Sequence, residues 1–115
     1  MYNKNKGFEY EKIAEKYLLD KGFTILETNF TSKFGEIDII AQKENRLHFI
    51  EVKGRKNAHY GYPGEAVTHT KQKRLKSAAG YYFMLKGKDD YPCQFDVIEI
   101  ILESKELNHI ENAFN

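Results

Sequence analysis

Apolar positions fall three and four apart through the first part of the chain and alternate after it. Phe8, Ile13, Ala14, Tyr17 and Leu18 form one stripe, which predicts a helix from about Asn5 to Lys21 with Gly22 as its C-terminal cap. From Phe23 to Phe30 the period drops to two, predicting a strand with Phe23, Ile25 and Leu26 inward. Thr31 to Gly35 reads as a turn, Ile37 to Ala41 as a second strand, and Gln42 to Asn45 as the hairpin into a third strand, Arg46 to Lys53. Gly54 to Thr68, rich in Gly, Tyr and His with Pro63 in its middle, reads as an irregular loop.

A second helix is predicted from His69 or Thr70 to Leu85, with Leu75, Ala78, Ala79, Tyr82 and Phe83 on its inner side; Lys86 to Asp90 breaks it. Phe95 to Leu102 is the most β-branched run and reads as a buried strand. Glu106 to Phe114 reads as a weak final strand or an edge. The third and fourth strands are joined through a helix, so they should lie parallel with a right-handed crossover. The expected fold class is α/β: one domain with an αβββαβ core and a mixed central sheet flanked by helices.

At 115 residues the chain has room for one core and no separate substrate domain. Its opening residues lack a signal-peptide apolar region, no apolar run is long enough for a membrane span, and Cys93 is the sole cysteine. The expectation is a cytoplasmic protein with no membrane association. The net charge of +1 conceals a segregation: residues 1–52 carry −1, residues 53–88 carry +8 and residues 89–115 carry −6. A basic middle is the footprint of a protein that follows phosphates, or else a solvated basic helix neutralised by acidic strands.

Chemistry concentrates between Gly35 and Lys53. Asp38 sits amid Ile37, Ile39 and Ile40, and an acid in such surroundings needs a partner or a metal. Glu51 and Lys53 share one face of the third strand, and Glu36 shares a face with Asp38. An exposed acid-x-Lys triplet is by itself no more than a weak surface pair, but here Phe49, Ile50 and Val52 make its strand a core strand. Asp38 and Glu51, with the backbone carbonyl of Val52 between them, are natural ligands for one or two Mg²⁺ or Mn²⁺ ions beside a scissile phosphate. Lys53 is placed to orient or deprotonate water, or to stabilise the phosphorane. Glu11, on or beside the first helix's buried stripe, either completes this acid cluster or reaches out along the helix edge.

Lys71 and Gln72 open the second helix, where a phosphate is welcome, and are candidates for holding the site from behind. Arg55, Lys56, Lys73 and Arg74 join them as candidate nucleic-acid contacts. Asp96 either takes part in function or pairs with Arg55 or Lys53. His48, His59, His69 and His109 lack metal-ligand spacing and read as structural, with DNA contact an option for His59 and His69. Tyr60, Tyr62, Tyr81 and Tyr82 either stack on bases or pack in the loop and core.

The chain resembles the PD-(D/E)xK nuclease superfamily, and within it the YraN-like family of small bacterial proteins, related to Holliday-junction resolvases. The resemblance runs through Gly7-x3-Glu11-x2-Ala14, Asn29-Phe30, Gly35-Glu36-Ile37-Asp38, Phe49-Ile50-Glu51-Val52-Lys53, Lys71, Phe95-Asp96-Val97 and His109-Ile110-x2-Ala113-Phe114. It implies a nuclease fold with Glu11, Asp38, Glu51 and Lys53 in catalytic positions. Two positions depart from the family pattern, Gly54 and Gln94, and are expected to weaken phosphate contacts. The reading is a metal-dependent endonuclease-like DNA-binding protein acting on branched or structured DNA, with a homodimer as one possible assembly. The alternatives are a non-catalytic nucleic-acid-binding relative, and a structural partner of DNA-processing machinery that binds protein through its acidic C-terminal part.

Overall fold

Among the described residues, seven elements follow one another in the predicted order: α1 (Lys4–Asp20), β1 (Thr24–Ser32), β2 (Gly35–Lys43), β3 (Arg46–Arg55), α2 (His69–Lys86), β4 (Cys93–Ile101) and β5 (Glu106–Phe114). The computed structural model describes residues 4–57, 67–88 and 91–115, with side chains in α1 from Glu9 onward. Phe8 of the predicted stripe, and His59, Tyr60, Tyr62 and Pro63 of the predicted loop, therefore lie outside the described side chains.

Both helices stop where their glycines fall. At the end of α1, Phe23 N–H donates to Leu18 O at 3.0 Å and Gly22 N–H to Leu19 O at 3.1 Å. At the end of α2, Lys88 N–H donates to Phe83 O at 3.0 Å, with Gly87 in the left-handed conformation that a side chain disfavours. The entry to α2 is capped by Thr68, whose Oγ1 accepts from Lys71 N–H at 3.2 Å. The β2–β3 hairpin turns on Glu44 and Asn45, both with positive φ, the backbone a tight two-residue turn needs.

The five strands form one mixed sheet in sequential order. All neighbours are antiparallel except β3 and β4, which run parallel with Ile50 beside Asp96 and Lys53 beside Glu99. This is the crossover expected from a helix-containing connection.

Alternation then divides the core in two. Ile40, Leu47, Phe49 and Val97 pack with Leu75, Ala78, Ala79 and Tyr82 of α2. Ile39, Ala41, Ile50, Ile98 and Ile100 pack with Ala14 and Leu18 of α1 on the other face. Burying each of these large side chains contributes about 1.5–3 kcal/mol, so the sheet is held from both sides.

Two details differ from expectation. Leu26 is 39% exposed because the β1–β2 register shifts between Ile25 and Glu27, and this irregularity breaks the inward alternation there. Gly54 does not face the Glu51–Lys53 side. By alternation it lies on the α1 face, and a Cβ added there would fall inside the Tyr10 ring. Its role is close packing of α1.

Candidate metal and nucleic-acid site

Asp38 and Glu51 come from neighbouring strands. Glu51 and Lys53 have the parity of Phe49, so they project on the α2 side of the sheet beyond the end of its apolar core. Asp38 lines the same cleft as Glu51, with Lys71 and Arg74 of α2 opposite and Gly35, Glu36 and Thr68 around the rim. The cleft is open and holds about 470 Å³.

Glu51 is the centre of the charge arrangement. It is only 6% exposed, and its Oε1 lies 3.4 Å from Lys53 Nζ and 2.5 Å from Lys71 Nζ. Two ammonium groups thus converge on one carboxylate oxygen. Burial disfavours the charge on Lys71, but hydrogen bonding and pairing with Glu51 outweigh it and raise its pKa. The Lys53 pKa is lowered, first by burial and then by Lys71, against the pull of Glu51.

Asp38 is half-buried and accepts a hydrogen bond from Val52 N–H through Oδ2 at 2.8 Å. Burial, and then the Glu51 carboxylate, push its pKa up to about 7, with smaller contributions from Glu11 and Glu36; the Val52 N–H opposes them. Several acids therefore face one point with less positive charge than they need. Glu11 is held toward this cluster by Asn29, whose Nδ2 donates to Glu11 Oε2 at 3.1 Å. Asn29 has a positive φ, an irregularity within β1.

The structure thus gathers Asp38, Glu51, Lys71 and Arg74 on one cleft, with Lys53 against Glu51; Glu11, on α1, does not line it and reaches Asp38 only as a minor electrostatic contribution. The other candidates are dispersed. Gln72 Nε2 donates to Val67 O at 3.2 Å and so tethers the entry to α2. Lys73 is exposed on α2. Arg55 and Lys56 lie past the site at the end of β3, where their carbonyls accept from Leu102 and Glu103 N–H at 2.9 Å. Tyr82 is buried in the core, while Tyr81 is half-buried against Phe30 and Phe34.

Asp96 corrects the expected pairing with Arg55 or Lys53. The parallel register sets it beside Ile50, on the α1 face, whereas Lys53 and Arg55 have the opposite parity. There its Oδ2 accepts from His48 Nδ1 at 2.7 Å and His109 Nε2 at 2.8 Å. Its Oδ1 accepts from Gln94 Nε2 at 2.8 Å and Asn112 N–H at 2.9 Å. Tyr17 Oη meets His109 Nδ1 at 3.0 Å and completes the chain of contacts. Burial works against the Asp96 charge, but these hydrogen bonds prevail and hold the carboxyl well below its usual range. Gln94, the second departure from the family pattern, is thus tied to Asp96.

His48, Asp96 and Glu111 also bring ligand-capable atoms within 4.8 Å of one another, a possible metal-binding cluster that no sequence spacing discloses, because three strands supply it. Both Asp96 oxygens already accept two hydrogen bonds each, so this carboxylate has little capacity left for an ion. Among the described residues no helix is long and apolar enough to cross a membrane.

A two-faced α/β sheet with an acid–lysine cleft at one end of its parallel pair defines the protein class. The profile described as "Uncharacterised protein family UPF0102" matches residues 10–100. A UPF0102 protein of Clostridioides difficile is 49% identical over 114 residues, covering 99% of this chain and all of the relative. One from Thermodesulfovibrio yellowstonii is 51% identical over 108 residues, 94% of each chain, and one from Alkaliphilus metalliredigens is 44% identical over 113 residues, 97% of this chain and 99% of the relative. The chain belongs to the UPF0102 family, the YraN-like group that its motifs resemble.

Proposed function

We propose that this protein is a metal-dependent endonuclease-like DNA-binding protein that hydrolyses phosphodiester bonds in branched or otherwise structured DNA. The observation that carries this reading is the meeting of Asp38 and Glu51, from adjacent strands, with Lys53 and Lys71 in one open cleft. A protein that only binds nucleic acid gains nothing from collecting carboxylates where phosphates must approach.

The donor set fits a hard divalent ion such as Mg²⁺ or Mn²⁺, being made of oxygens and carrying negative charge that the lysines only partly offset. Asp38 and Glu51 would hold it, with the Val52 carbonyl and Glu11 as further donors. When bound, the ion supplies charge neutralisation at the phosphate and an acidified water. Lys53 orients that water or stabilises the charge that develops on the phosphoryl oxygens. Lys71 fixes the rotamer of Glu51, and Arg74 on the rim meets the backbone of the nucleic acid. Gln72, tied to Val67, keeps the start of α2 in place beneath them. Symmetric cutting of two strands calls for two copies of the chain, related by a two-fold axis.

A second reading has its own observation. Glu51 is already neutralised by two lysines, which suits a non-catalytic nucleic-acid-binding protein that retains the fold. One experiment separates the two. Purified protein is incubated with four-way-junction, flap, single-stranded and duplex DNA in Mg²⁺ or Mn²⁺, beside Glu51→Gln and Lys53→Ala. Cleavage of the structured substrates is expected, and each substitution should slow it by about 100-fold or more. Cleavage that persists in both variants refutes the site, and junction binding without cleavage, unchanged by either substitution, establishes the binder.

A further inference from the structure

The exposed side of α2 does not end at the cleft. Thr70, Arg74, Ser77, Tyr81 and Met84 recur at four- and three-residue steps, so they form one continuous face alongside that of the buried Leu75, Ala78, Ala79 and Tyr82. Thr70 and Arg74 line the carboxylate cleft. Ser77, Gly80, Tyr81 and Met84 line a second, apolar groove of about 450 Å³, closed on its other side by Lys33 and Phe34. The two adjoin at Gly35, beside Phe34, where an added Cβ would meet Arg74 Cβ at 3.4 Å, an ordinary van der Waals contact.

We propose that this groove binds an unpaired nucleobase of the strand whose phosphate occupies the cleft, so that the preferred substrate carries single-stranded nucleotides next to the scissile bond. The inference rests on the nuclease-like reading of the cleft and specifies its substrate. Phe34 is 41% exposed although aromatic, and Met84 is 67% exposed. Tyr81 stands edge-on to Phe34 at 6.3 Å between ring centroids, which offers a face and an edge to a flat ring. Lys33 Nζ lies 5.3 Å over the Phe34 ring, and among the described residues no acid lines the groove, so the phosphate that accompanies a base meets positive charge.

The spacing suits a polynucleotide. Phe34, in the turn that precedes β2, is four residue steps from Asp38, at most roughly 13 Å, and two helical turns separate Arg74 from Tyr81, roughly 10 Å. The base that enters is therefore a near neighbour of the scissile phosphate and not the nucleotide being cut. Paired bases are already stacked within a duplex and present only their edges, so a duplex cannot fill the groove without unstacking.

Fluorescence anisotropy with a short labelled thymidine oligonucleotide and a matched duplex, in EDTA at low salt, tests the groove apart from catalysis. Phe34→Ala and Tyr81→Leu should each weaken oligonucleotide binding about ten-fold and duplex binding less than about two-fold, while Phe34→Tyr restores the oligonucleotide. Equal losses on both probes, or no loss on either, overturn the base subsite. Glu51→Gln and Lys53→Ala serve as the separate control on the cleft. Oligonucleotide binding that depends on Phe34, with no cleavage in any metal, would remove the hydrolytic reading and leave the subsite standing. Cleavage of junctions by a protein that ignores the oligonucleotide would do the reverse.

Discussion

Two aspartates on opposite faces of one sheet, one buried and one half-buried, are driven in opposite directions. Asp96, on the α1 side, is 1% exposed yet held as a carboxylate below its usual range, because two histidines, a glutamine and a backbone N–H all donate to it. Asp38, on the α2 side, is raised to about 7, because burial and then Glu51, with smaller contributions from Glu11 and Glu36, outweigh its one backbone donor. Burial penalises both charges; the number of donors decides the sign. A carboxylate whose lone pairs are filled acts as a fixture, whereas one left short of positive charge is ready to accept a cation.

The largest effect should come from disturbing the satisfied aspartate. Asp96→Asn keeps the shape but replaces one acceptor oxygen with an NH₂ that faces other donors. A loss of about 3 kcal/mol or more in urea unfolding is expected, from buried donors left without an acceptor. Because the folded carboxyl titrates below its unfolded value near 3.8, wild-type stability from Asp96 is present above that value and lost as the pH falls beneath it. The variant should lack this acid limb. A loss under about 1 kcal/mol would show that the Asp96 contacts are replaceable and that the contrast between the two faces is overstated.

This contrast was only half legible in the amino-acid order. Strand parity placed Glu51 and Lys53 together, and the acid within Ile37-Asp38-Ile39 announced a charge in need of a partner. The helix-containing link between β3 and β4 foretold their parallel pairing. Parity alone could not set the β4 register, and without it Asp96 was matched to cations on the wrong face. His48 and His109 reach Asp96 from β3 and β5, so no spacing along the chain exposes them as a group. Lys71 lies twenty residues from Glu51, and only the docking of α2 brings them into contact. Leu26 failed for a local reason, the register shift beside it.

The unsatisfied aspartate should respond the other way. Its folded pKa near 7 exceeds the unfolded value near 3.8, so between those limits the folded state holds the extra proton and stability falls as the pH rises. Asp38→Asn keeps an acceptor for Val52 N–H and removes the charge. At pH 8 it should raise stability by roughly 2 kcal/mol and flatten the slope between pH 4 and 7. Mg²⁺ should stabilise the wild type and leave the variant unchanged, since only a ligand that binds the folded state shifts unfolding. A variant less stable than wild type at pH 8 would make Asp38 another fixture, like Asp96.

The smallest effect tests how locally the reactive face is held. Thr68 caps α2 through Lys71 N–H, one residue whose side chain reaches Glu51. Thr68→Ala should cost about 1 kcal/mol in unfolding, the usual loss for an N-cap. The more telling readout is residue-specific: hydrogen exchange at the Lys71 amide should quicken, and cleavage or metal binding should weaken as Glu51 loses its restraint. His48 and His109 resonances should stay where they are, because the Asp96 network draws its partners from strands and α1, with none from α2. Movement of both histidines would mean that the two faces are coupled through the sheet, and the division into a fixed side and a reactive side would fail.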